Sequence, residues 1–65
     1  MAREWLKELR ESRRLNQTKA AEFVRVERSY YSKIENGRRP SVPVAKKIAE
    51  AFDFDWTRFF EDESA

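Results

Sequence analysis

Apolar side chains recur along this chain at the spacing of helix faces, in five runs separated by short polar or turn-forming stretches. The pattern predicts a first helix over about 3–13, with Trp5, Leu6 and Leu9 on one stripe. Leu15 turns inward after it, and Asn16 is placed to cap a second helix over 17–24 that buries Ala20, Ala21 and Val24. A third helix begins near Glu27 and ends at Asn36 and Gly37, where a left-handed residue commonly closes a helix. Arg38, Arg39 and Pro40 form an extended connection to Ser41, the cap of a fourth helix. Pro43 fits the first turn of that helix, where no intrahelical amide bond is needed, and Val44, Ala45, Ile48, Ala49 and Phe52 form its buried stripe. After Asp53 and Phe54, Asp55 caps a short last helix from Trp56 to about Phe60, and residues 61–65 have nothing to bury and are expected to fray. The expected fold is all-α, one compact five-helix domain over residues 1–65.

The stretch 17–36, QTKAAEFVRVERSYYSKIEN, has a particular order. Ala21, Val24, Val26, Tyr31 and Ile34 fall where two short helices, crossing at a tight turn, bury side chains against each other. Between them lie Arg28, Ser29, Ser32, Lys33 and Asn36, which carry hydrogen-bonding groups and positive charge. A helix that packs by one face and presents Arg, Ser, Lys and Asn on the other is suited to the major groove of DNA. The segment is a candidate helix-turn-helix.

Charge sharpens that picture. The net charge is only +2, but residues 13–47 hold ten Lys or Arg against Glu22, Glu27 and Glu35, while residues 48–65 hold Arg58 against six acids. Such segregation attracts polyanions to one face and repels them from another, although an ordinary solvated surface also exposes Lys and Arg. With no Cys, no disulfide or thiolate metal site is available; with no His, the usual zinc ligand and general base are missing. Catalysis would need a carboxylate pair or an activated lysine in a deep pocket, for which 65 residues leave little room. No catalytic residue, metal or cofactor is expected. No apolar run is long enough to cross a membrane and the charged N-terminus is unlike a secretory signal, so a cytoplasmic protein is expected. A chain of this length buries only about 60% of the surface its unfolded form exposes.

The chain resembles the lambda-repressor-like family of helix-turn-helix domains, the Cro or XRE type. The resemblance covers nearly everything from Leu6 to Phe60 and rests on LKELRESR, on Gln17 and Ala21, and above all on RSYYSKIENGRRP. It implies five helices with the third in the major groove of double-stranded DNA. Carried over by position, Arg28, Ser29, Ser32 and Lys33 would face base edges, with guanine O6/N7 the expected partner of Arg28. Gln17, Asn36, Arg38 and Arg39 would grip the DNA backbone, Gln17 aided by the positive end of its helix. Arg10 and Glu35 would form a structural ion pair. The resemblance further implies a transcriptional regulator, a repressor of bacterial or phage type, binding a pseudo-palindromic operator as a homodimer through its C-terminal aromatic helix. The starting Met and the absence of a linker fit a whole small regulator. The alternative is a protein-interaction module, an antitoxin or adaptor, using the aromatic segment Phe54, Trp56, Phe59 and Phe60.

Three departures from the family pattern carry questions of their own. Arg14 and Arg25 stand where the family usually has Gly, before the second helix and at the turn after it respectively. Either these turns adopt another geometry, or the chain bears the roughly 1–2 kcal/mol that a non-glycine residue costs in the left-handed region. Glu27 is an acid facing phosphates; it either caps the third helix or accepts from cytosine N4. Tyr30 either stacks on a sugar or thymine methyl or covers the second helix. Lys46 and Lys47 are expected to form a solvated face, and Trp5 and Trp56 to pack.

Overall fold

A computed structural model of the chain describes residues 2–61, so the expected fraying of 62–65 lies outside the described residues. Five helices follow one another: α1 (Glu4–Ser12), α2 (Gln17–Val24), α3 (Arg28–Glu35), α4 (Val42–Phe52) and α5 (Arg58–Glu61). No strand occurs among the described residues.

The starts are set by side chains that satisfy free amides. Asn16 Oδ1 accepts from the Lys19 N–H at 2.8 Å, and Ser41 Oγ from the Val44 N–H at 3.4 Å. The fifth helix begins later than the sequence pattern suggests. Asp55 accepts from both the Thr57 N–H and the Thr57 hydroxyl, which folds 55–57 into a turn and delays α5 to Arg58. Glu61 is its last residue.

The ends share one device. After α1, the Leu15 N–H reaches back to Arg10 O and the Arg14 N–H to Glu11 O. After α2, the Val26 N–H reaches Ala21 O and the Arg25 N–H reaches Glu22 O. After α3, the Arg38 N–H reaches Lys33 O and the Gly37 N–H reaches Ile34 O, and after α4 the Phe54 N–H reaches Ala49 O. These are Schellman closures, which need a left-handed residue just past the helix. Only one is glycine, Gly37 at φ 113°; the others are Arg14, Arg25 and Asp53, at φ 58°, 61° and 62°. The chain therefore keeps the left-handed geometry at both arginines and bears its cost. The compensation is apolar: Leu15, Val26 and Phe54, each one residue later, pack against the core. Lys47 adds a hydrogen bond from Nζ to Arg25 O, 3.1 Å, so it does more than solvate a helix face.

Leu6, Ala20, Ala21, Val24, Tyr31, Ile34, Ala45, Ile48, Phe52 and Phe59 form the core. Of the first-helix stripe, Leu6 is fully buried, whereas Trp5 and Leu9 are half-buried. Trp5 packs edge-on against Phe54 with ring centroids 5.1 Å apart and also touches Phe59. The terminal aromatics thus close the open end of the core between α1 and α4.

Candidate nucleic-acid interface

The third helix owes its direction to what it buries. Tyr31, Ile34 and Glu35 are wholly enclosed, which turns Arg28, Ser29 and Lys33 to solvent, with Ser32 half-buried beside them. The Arg28 and Lys33 side chains make no salt bridge or hydrogen bond among the described residues. Two cations and two hydroxyls therefore lie on the exposed side of a helix held rigidly from behind.

Glu27 is the N-cap of α3, and both its oxygens are used. Oε2 accepts from the Ser29 N–H at 3.1 Å, and Oε1 from the Tyr30 N–H at 3.2 Å and the Ser29 hydroxyl at 2.6 Å. The Ser29 hydroxyl and the two amides hold the Glu27 carboxyl below its ordinary range. The acid is thus spent on its own helix, and Ser29, having donated its hydroxyl hydrogen, offers lone pairs outward.

Behind α3, the Glu35 carboxylate is fully buried and meets Arg10 in a two-pronged ion pair, Nε to Oε2 at 2.6 Å and Nη2 to Oε1 at 3.3 Å. Gln17 Nε2 joins at 3.2 Å, and Arg10 Nη1 donates to Leu15 O at 2.9 Å. Burial alone pushes Glu35 up; hydrogen bonds from Arg10 and Gln17, with the neighbouring Tyr31 phenol, outweigh it and leave the carboxyl below its usual range. The Tyr31 hydroxyl is enclosed in the same pocket without a partner at full hydrogen-bonding geometry among the described residues. Burial pushes its phenol far above the ordinary value. Gln17, assigned by sequence to the DNA backbone, is therefore joined to the same network as Arg10 and Glu35. Its carboxamide keeps a second N–H and its oxygen, at the amide-rich start of α2.

Beyond α3, Asn36, Arg38 and Arg39 are exposed. The Arg38 guanidinium lies over the Tyr30 ring at 5.6 Å, and Arg39 over Phe60 at 5.2 Å. The Tyr30 hydroxyl accepts from the Ser41 N–H at 3.2 Å. Tyr30, half-buried against the core, thus braces the connection from α3 to α4. Sequence reasoning missed this role, as it missed Arg3, whose side chain reaches the end of α3 from 31 residues away.

A tight α2–α3 pair, buried on one side and cationic on the other, defines a helix-turn-helix protein. The helix-turn-helix family matches residues 6–59, and the chain belongs to that family, of the Cro/XRE type. It is also similar to the uncharacterized HTH-type transcriptional regulator YqaF of Bacillus subtilis (strain 168), with 51% identity over 63 residues, covering 95% of this chain and 83% of that protein. No solved structure is significantly similar to the chain.

Proposed function

We propose that this protein is a DNA-binding transcriptional regulator, a repressor, that lays α3 in the major groove of a specific operator. The observation that carries the reading is the division of α3 into a fully buried side and an exposed side of Arg28, Ser29 and Lys33. Arg28 and Lys33, helped by Ser29 and Ser32, read base edges; Gln17, Asn36, Arg38 and Arg39 hold the backbone and set register. The family match and the HTH-type regulator at 51% identity support the same reading. It is a non-enzymatic role, carried by residues 1–65 as one domain in the cytoplasm.

The operator is pseudo-palindromic and the protein a homodimer, with half-sites about 10 bp apart. Supporting the dimer, Trp56 and Phe60 stay half-buried beside Lys46 and Arg39, and Val42, one turn before Lys46, is 43% exposed. A protein-interaction module built on the C-terminal aromatics is less favoured, because Phe59 is fully buried and Phe54 packs on it. Selection of bound sequences from random duplex DNA tests the proposal. A two-fold symmetric consensus is expected; no enrichment at moderate salt would sink it. A complex that salt leaves unchanged would favour the protein-interaction reading.

A further inference from the structure

Three of the helix ends place an apolar residue after the left-handed one: Leu15, Val26 and Phe54. The end of α3 places Arg38 there instead, exposed and cationic. The hydrophobic contact that normally pins this position is missing at the helix end nearest the proposed backbone clamp. Something else must hold the segment.

We propose that Arg3 is a positioning residue that fixes residues 36–39 in the geometry needed to grip the DNA backbone, an inference that rests on the DNA-binding reading above. Arg3 is 5% exposed. Its backbone N–H donates to Glu35 O at 2.7 Å, and its Nη1 donates to Ile34 O at 2.6 Å and to Arg38 O at 2.7 Å. Nη2 reaches Phe59 O at 3.5 Å, and the guanidinium lies 5.3 Å from the centre of the Phe59 ring. Arg3 thus covers the last two carbonyls of α3, Glu35 O with its backbone N–H and Ile34 O with its guanidinium, and the planar cation sits at the negative end of the helix dipole and fixes the carbonyl of Arg38. With the Arg38 N–H already bound to Lys33 O, both polar groups of that residue's backbone are held. The guanidinium of Arg38 is left to lie over Tyr30 and project from an ordered base. Lysine has no planar fork and cannot span Ile34, Arg38 and Phe59 together.

Amide hydrogen exchange and DNA binding on Arg3→Met, Arg3→Lys and a core control, Ile48→Val, test this. In Arg3→Met the Gly37 and Arg38 amides should exchange about 10-fold faster than global destabilisation explains, an excess absent from the control. The slope of log affinity against log salt should fall by roughly one unit, and Arg3→Lys should recover only part of it. In an Arg38→Ala background, Arg3→Met should no longer change the slope, because both act on one contact. A slope equal to wild type, or exchange at 37 and 38 that merely tracks global stability, overturns the proposal. If the wild-type chain shows no salt-dependent duplex binding, the DNA reading itself fails, and the exchange comparison still decides whether Arg3 orders the segment.

Discussion

Arg10 of α1 and Glu35 of α3 are joined by a buried two-pronged ion pair, with Arg10 Nε 2.6 Å from Glu35 Oε2. It is a polar weld that sets α3 against α1. Removing one partner leaves a buried charge uncompensated. Arg10→Met is expected to cost about 3–5 kcal/mol, a large part of the stability of so small a domain. Adding Glu35→Leu to it should recover much of that loss. Urea unfolding followed by circular dichroism measures both, and a loss below 1 kcal/mol for the single change would contradict the weld.

The acid limb of stability follows from the same pair. Glu35, Glu27 and Asp55 are all held below their ordinary values of 4.5, 4.5 and 3.8. A depressed folded value means that the stabilisation is present above the unfolded value and is lost as pH falls through the folded one. Stability should therefore decline below about pH 4.5. With no His in the chain, it should be nearly flat from about pH 6 to 8. Glu35→Gln should flatten the acid limb, which melting curves across pH will show.

Arg25 occupies the left-handed region at φ 61° inside the helix-turn-helix. Arg25→Gly removes that strain but adds freedom to the unfolded chain, and the net expectation is a gain of about 0.5–1 kcal/mol. For a domain of this size that is a rise in Tm of roughly 2–8 °C. Differential scanning calorimetry reads it directly; a fall in Tm would mean that the Arg25 side chain, beside Phe23 and Lys47, contributes more than its backbone costs.

Base reading and backbone holding separate in a binding assay. Arg28→Ala should cost about 1–3 kcal/mol on the preferred operator and relax preference at one base pair. Arg38→Ala should weaken every duplex alike and reduce the salt slope by about one unit. Titrations of both variants on a panel of single-base-pair changes distinguish them, and uniform weakening by Arg28→Ala would reassign Arg28 to a phosphate.

The cap at Ser29 carries a specificity consequence. Its hydroxyl hydrogen is bound to Glu27, so Ser29 is expected to accept from adenine N6 or cytosine N4. Glu27→Ala frees that hydrogen and should broaden the base preference at the position Ser29 faces, as well as lowering Tm through loss of the cap. An unchanged preference in selected sequences would show that Ser29 merely lets the helix approach.

What the sequence determined by itself was local. Asn16, Ser41 and Gly37 mark helix ends because their bonds close within a few residues, and the spacing of Leu6, Ala21, Tyr31, Ile34 and Ile48 marks buried faces because helical periodicity is a short-range property. Arg10 with Glu35 was legible only through family resemblance, since nothing in a spacing of 25 residues announces an ion pair. Tertiary structure decided the rest. Whether Arg14 and Arg25 turn left-handed depended on whether Leu15 and Val26 could then reach the core. Tyr30 became a brace, and Lys47 a cap on the α2 turn, only once α4 lay alongside. Arg3, near the start of the chain, bonds Ile34, Arg38 and Phe59, partners 31, 35 and 56 residues away. Such contacts are specified by packing of the whole chain, because a guanidinium carries no periodicity and its partners are backbone carbonyls that every residue possesses.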